Sequence, residues 1–194
     1  MGKNRAFGSM KLFDHIMGRS LAHSVRYSST PQNFPESVAE HSFFTAYIAS
    51  VLCNLLEKEG VEVDRARAIE MALVHDVEEQ LSGDILGPFK HYSPEVREAI
   101  TKVNKEVIPH VFEGLPKDLR NYYITLWTED NVGETLEAQI VKMADKISLV
   151  SKCEEEIKVG NDFFEDILSG QIESLKEDEK DWWLKIRSQV LDRD

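Results

Sequence analysis

The sequence predicts an all-α fold. Three observations carry that reading: helix-start signals recur along the chain, apolar residues repeat at helical spacing between them, and no run alternates in the manner of a strand. Ser37-Val38-Ala39-Glu40 is a capping box, in which Ser37 accepts from the Glu40 amide while Glu40 reaches back. It predicts a long helix over 38–59, with Phe44, Ile48, Val51, Leu52 and Leu55 as its apolar positions and Gly60 at its end. Asp64 caps the next helix, predicted to run to Gln80 before Ser82-Gly83-Asp84 breaks it. Ser93-Pro94-Glu95 opens a third, continuing towards Ile108, because proline suits the first helical position. Leu115-Pro116 starts a fourth, reaching Trp127. Residues 134–158 predict a long helix striped by Leu136, Ile140, Met143, Ile147 and Val150. The tail over 173–191 is amphipathic and acidic, with Trp182 and Trp183 expected to pack against the body.

A chain of 194 residues suits one domain, here 10–194 with a C-terminal helical tail. Residues 1–9, MGKNRAFGS, precede a second methionine, Met10, and read as an extension or cloning scar. The apolar fraction of 42% supports a real core. A formal charge of −12 argues against generic binding to nucleic acid or anionic membranes, which needs a basic face. It leaves room for a small anionic substrate, since a local arginine or a metal reverses the field. The two cysteines, Cys53 and Cys153, form no Cys-x-x-Cys pair and read as free thiols in a reducing cytoplasm. No apolar run approaches a membrane span, and the N-terminus lacks the apolar stretch of a signal peptide. The expectation is a cytoplasmic protein with neither a membrane nor a nucleic-acid partner.

The chemistry-bearing stretch is MALVHDVEEQLSGD, Met71 to Asp84. On a continuous helix His75 and Glu79 share a face, Asp76 and Glu79 are neighbours, and His75 and Asp76 stand about 100° apart around the axis. Imidazole with carboxylate suits a borderline divalent cation such as zinc, cobalt, manganese or iron. By themselves these residues also fit a solvated helix end. Asp145 lies in AQIVKMADKISLV, a helix apolar over most of its circumference, where a carboxylate calls for a metal or for a buried salt bridge to arginine or lysine. His41, in SVAEHS, sits in the first turn of the capped helix, where a surface position is the alternative. His15, His23, His91 and His110 have weaker contexts.

Spaced as His41, then His75-Asp76, then Asp145, these residues resemble the HD-domain metal-dependent phosphohydrolases, and among them the bacterial HD-domain 5′-deoxynucleotidases (YfbR-like). The similar stretches are VRY with VAEHS, HDVEEQLSGD with the following GPFK, and VKMADKISLVSKCEEE, within Lys11 to Glu156. The resemblance implies an HD-domain helical bundle and a homodimer. It implies His41, His75, Asp76 and Asp145 as ligands of one divalent cation (Co, Mn, Zn, Fe or Mg), with open positions for water and a phosphate oxygen. Glu79 matches the general acid/base, one turn beyond a ligand, whereas Glu78 is expected to be solvated. Arg26 matches the arginine that grips the substrate phosphate, a task suited to bidentate guanidinium donors. Tyr27 stands where an aromatic borders sugar and base, with a core tyrosine as the alternative. Asp84 matches an aspartate that bonds the sugar, with an Asx turn after Gly83 as the alternative. The implied reaction is hydrolysis of (deoxy)nucleoside 5′-monophosphates to phosphate. Ile85-Leu86-Gly87 lacks the family's proline after this aspartate, which leaves sugar selectivity open. The competing readings are an HD nucleoside triphosphohydrolase, a dinuclear HD phosphodiesterase or oxygenase recruiting further histidines such as His91 and His110, and a helical binding module with a structural metal.

Overall fold

The computed structural model describes residues 11–13, 16 and 18–191; the extension over residues 1–9, and His15, lie outside them. The described elements are helical: α1 (Val38–Lys58), α2 (Arg65–Val74), α3 (Glu79–Ser82), α4 (Gly87–Lys90), α5 (Pro94–Val111), α6 (Lys117–Val132), α7 (Leu136–Lys158), α8 (Glu165–Glu177) and α9 (Asp181–Leu191), with short 3-10 turns at Ser20–Ala22 and Asp162–Phe164. Among the described residues, extended pairing is limited to one antiparallel bridge between Val25 and Ser37. The predicted caps form: the Ser37–Glu40 box is complete, and Asp64 and Ser93 accept from Arg67 and Val96.

The centre is a three-helix packing of α1, α2 and α7. Alanines line it, with Ala46 and Ala49 on α1, Ala68 and Ala72 on α2, and Ala144 on α7. Small side chains let helix axes approach closely, and Leu52, Leu56, Met71, Ile140 and Met143 fill the space between. Leu126 closes the core from α6, and Leu175, Trp183 and Ile186 close it from α8 and α9. The tail tryptophans pack as expected: Trp183 Nε1 donates to the Leu175 carbonyl at 2.9 Å and Trp182 Nε1 to Gln139 Oε1 at 2.9 Å.

Two expectations are corrected, and the helical tail resolves into two helices. Phe44 and Val51 of α1 are exposed, and the buried side runs instead through Val38, Thr45, Ala49, Leu52 and Leu56. That helix is apolar all round, so periodicity could not choose the face. The tail is two helices, because Asp178 turns the chain by accepting from the Lys180 amide at 3.1 Å. Helix α2 stops at Val74, not Gln80. The His75 ring takes the Ala72 carbonyl at 2.7 Å, the acceptor that an α-helix would give to Asp76. The chain then tightens: Val77 donates to Val74 at 3.2 Å and Glu79 to Asp76 at 3.1 Å, three residues back rather than four.

Candidate active site

The two histidines are fixed by different helices and oriented in the same way. His41 is fully buried in the first turns of α1, which excludes the surface alternative. Its Nδ1 meets Ser148 Oγ of α7 at 3.1 Å, while its Nε2 lies 3.0 Å from Asp145 Oδ1 and 3.8 Å from Asp76 Oδ2. His75 caps α2. Its Nδ1 faces a carbonyl, which only accepts, so Nδ1 carries the hydrogen and Nε2 turns inward. Nε2 of His75 comes within 3.1 Å of Asp76 Oδ2 yet has no aligned hydrogen-bond partner, and it is buried. One nitrogen or oxygen from each of His41, His75 and Asp145 lies within 4.8 Å of the others.

The electrostatics of this cluster call for positive charge. Burial opposes an imidazolium at His75, but Asp76, Asp145 and Asp130 outweigh it and push its pKa up to about 10. Burial likewise opposes a charged Asp76, and His75, His41 and Arg26 hold it well below the usual carboxylate range. Asp145 is also lowered, burial being outweighed by its hydrogen bond and attraction to His41. Asp145 departs from the expected buried carboxylate: its side chain is 44% exposed and faces a cleft, with His41 rather than a lysine or arginine as partner. An orphaned buried imidazole nitrogen, backed by an Nδ1–carbonyl bond and ringed by carboxylates, is the donor set a divalent cation fits.

Glu79 opens α3, and the tightened turn sets its position. Its Oε2 is buried and unpartnered. Burial, then the charges of Asp76, Asp84 and Glu78, push its pKa up to about 9, with Arg26 pulling the other way. Glu78 is not solvated as expected. It is buried and accepts from Trp127 Nε1 at 2.7 Å and Asn104 Nδ2 at 3.3 Å, tying the turn to α6 and α5. No spacing rule links Glu78 to Trp127, so the sequence carried no signal for the pair. A cavity of about 130 Å³ opens beside the cluster, bordered by His75, Asp76 and Asp145 on one side and Lys90, Asp130 and Lys142 on the other. Asp130 and Lys142 approach to 3.9 Å, a pair that no spacing rule marks in the sequence.

Arg26 is buried, not a surface arginine. Its Nη1 pairs with Glu36 Oε2 at 3.0 Å and its Nη2 reaches the Tyr27 hydroxyl at 3.3 Å. Burial opposes its charge, but Tyr27, Asp145, Asp76 and Glu36 keep it firmly protonated. Tyr27 is partly buried, with its ring edge-on to Phe164 at 5.9 Å. Asp84 makes no Asx turn; its Oδ2 accepts from the Tyr27 amide at 2.9 Å. His91 and His110 are exposed, near Arg97 and Glu113, and neither joins the cluster.

Comparison with known proteins extends this picture. A 5′-deoxynucleotidase of Vibrio vulnificus is 34% identical to the chain over 66% of each sequence, so the likeness spans about two thirds of that relative's length. An HD-domain phosphohydrolase from Listeria innocua superposes with a TM-score of 0.78 at 28% identity, covering 91% of this chain and 86% of its own. The cyanophage S-2L HD phosphohydrolase DatZ, which holds dA and one catalytic Zn²⁺, shares the fold with a TM-score of 0.62 at 19% identity, over 88% of this chain and 90% of its own. A sequence profile of one family spans the three helices that carry the cluster, matching residues 14–184, and the chain belongs to that family, 5′-deoxynucleotidase YfbR-like.

Proposed function

We propose that this chain is a metal-dependent phosphohydrolase that releases inorganic phosphate from nucleoside 5′-monophosphates, deoxynucleotides foremost. The observation that carries the reading is the convergence of two oriented imidazoles and Asp145 beside an unpartnered Glu79 oxygen and a buried arginine. His41, His75, Asp76 and Asp145 hold one divalent cation. When bound, such an ion supplies Lewis-acid polarisation of a phosphoryl oxygen and lowers the pKa of water. Arg26, braced on one edge by Glu36, binds the phosphate and offsets its charge. Glu79 takes the proton of the attacking water and returns one to the departing 5′-oxygen, a role supported by its buried, unpartnered Oε2. Tyr27 and Asp84 border the nucleoside.

The test is phosphate release across ribo- and deoxynucleoside mono- and triphosphates with Co²⁺, Mn²⁺, Zn²⁺ or Mg²⁺ added, alongside metal content per chain. Phosphate from monophosphates with one bound ion supports the reading. Release from triphosphates alone, or two ions per chain, replaces it.

We also propose that the working form is a homodimer built on the outer face of α1. Phe43 and Tyr47 are 62% and 64% exposed, Phe44 and Val51 lie beside them, and no charged residue occurs from Ser42 through Leu56. Apolar surface of this kind marks an interface, and an uncharged face lets two chains of net charge −12 meet without local repulsion. Light scattering should give twice the chain mass, and Phe43→Glu with Tyr47→Glu should give the monomer. No described helix is long and apolar enough to cross a membrane. The free, buried thiols of Cys53 and Cys153 agree with a cytoplasmic setting.

A further inference from the structure

Tyr27 has φ +52°, in the left-handed region that a bulky residue avoids. Such a conformation persists only where the surroundings hold it. Here the peptide unit joining Arg26 to Tyr27 is gripped from both sides. Its N–H donates to Asp84 Oδ2 at 2.9 Å, and its carbonyl accepts from Gln32 Nε2 at 2.7 Å. Rotating that peptide out of the strained conformation would break both bonds. Asp84 is 57 residues away in the chain and directly follows Gly83, whose amide donates to the Glu79 carbonyl at 2.9 Å. One carboxylate therefore ties the turn that presents Arg26 to the short helix that presents Glu79.

We propose that Asp84 is a positioning residue: it locks the Arg26–Tyr27 peptide and so aims the guanidinium at the substrate phosphate. This rests on the phosphate-binding role proposed above for Arg26. It is separate from any bond to the sugar, for which the Oδ1 atom remains. The sequence position alone, after a glycine in a loop, carries no hint of it. A residue that only touched sugar would matter to nucleotides and not to a phosphate ester without one.

The test uses the full chain with its cation added and two substrates, a deoxynucleoside 5′-monophosphate and p-nitrophenyl phosphate. Asp84→Ala should raise KM for p-nitrophenyl phosphate by about tenfold, the scale of one lost hydrogen bond to a charged group. Asp84→Asn keeps an acceptor for the Tyr27 amide and should reverse most of the rise in KM that Asp84→Ala causes on p-nitrophenyl phosphate. Because Asp84 acts through Arg26, adding Asp84→Ala to Arg26→Ala should cost nothing further on that substrate. Exchange of the Tyr27 amide with solvent, read by NMR without substrate, should accelerate in Asp84→Ala and not in Asp84→Asn. If Asp84→Ala does not fold, Asp84→Ser, too short to reach the amide, carries the same expectations. Unchanged p-nitrophenyl phosphate kinetics, or losses that add to those of Arg26→Ala, overturn the proposal and leave Asp84 a sugar contact. Arg26→Ala indistinguishable from wild type sinks the phosphate reading instead. Slow Tyr27 exchange in Asp84→Ala overturns the locking bond itself, whatever Arg26 does.

Discussion

Two regions meet at the proposed active site, and they are held by different forces. The proposed cation-binding side rises from α1, α2 and α7, helices whose inner faces form the apolar core. The proposed substrate side, residues 24–37, is irregular chain fastened by polar bonds to distant partners. Its main anchor is Glu156, fully buried near the end of α7, which accepts from the Asn33 and Phe34 amides at 2.9 Å each, from Asn161 Nδ2 at 2.8 Å and from Lys152 Nζ at 2.8 Å. Core packing tolerates small adjustments because its energy is spread over many contacts. A polar anchor fails all at once, because removing one partner leaves the others buried and unpaired. The comparison says that substitutions on the cation side should act through chemistry with the fold intact, and those on the substrate side through stability and substrate binding.

The largest effect is expected at Asp145. Asp145→Asn removes a charge that the cluster needs, and at 44% side-chain exposure it leaves no void in the core. Metal content should fall, activity should drop by more than about 10⁴-fold, beyond the usual general acid/base loss, and the melting temperature of the metal-free protein should hold. Full metal with full activity would return Asp145 to a structural partner of His41. Glu79→Ala comes next: turnover should fall by about 10²–10⁴-fold while metal and nucleotide affinity persist. Metal content, calorimetric affinity and turnover on one preparation decide this, since parallel loss of metal would make Glu79 a ligand.

The substrate side breaks differently. Glu156→Ala should cost about 3–5 kcal/mol, the usual loss on breaking a buried charged pair, with KM rising and metal binding retained. Its pH dependence gives an independent check. Burial opposes the Glu156 charge, but Lys152, Asn33, Asn161 and Phe34 hold its pKa down at about 2. A depressed carboxyl contributes stability above its unfolded value of about 4.3, and loses it as pH falls through that window towards 2. The wild type should therefore lose melting temperature between pH 5 and pH 3 faster than Glu156→Gln, whose amide cannot titrate. Equal slopes would show that Glu156 is not what fastens residues 24–37.

Legibility in the sequence divides along the same line. The helix caps, the apolar stripes and the His41, His75-Asp76, Asp145 spacing announce the cation side, because helical period and motif are local properties of the chain. The substrate side was legible only as Arg26 and Tyr27 by resemblance. Its fastenings are Glu36, Glu156 and the Asp84 bond across 57 residues, and long-range polar pairing leaves no period to read. The same limit explains the misplaced end of α2. Ala72 lies three residues before His75, but the sequence does not say that the ring will take that carbonyl from the backbone. Phe44 and Val51 show a further limit, since an apolar residue marks a surface to be covered without saying whether the core or a second chain covers it.

The smallest predicted effect probes a polar anchor on the cation side, Glu78. The turn from His75 to Glu79 has no helix of its own, and Glu78 hangs it from Trp127 and Asn104. Burial and the charge of Asp76 push the Glu78 pKa up to about 7, and the Trp127 donor works against that rise. Trp127→Phe keeps most of the ring volume, removes the donor, and leaves Glu78 with Asn104 alone. The expected cost is about 1–3 kcal/mol, the price of one unsatisfied buried partner, which is below that of Glu156→Ala. Metal content should be unchanged, because His75 is oriented by the Ala72 carbonyl and not by Glu78. Thermal melting and metal analysis on Trp127→Phe and on Glu78→Gln, which retains an acceptor for the indole, should rank Glu78→Gln as the milder. If Trp127→Phe instead releases the metal, then the cation side is also held by polar threads, and the division between a packed half and a pinned half of this active site does not stand.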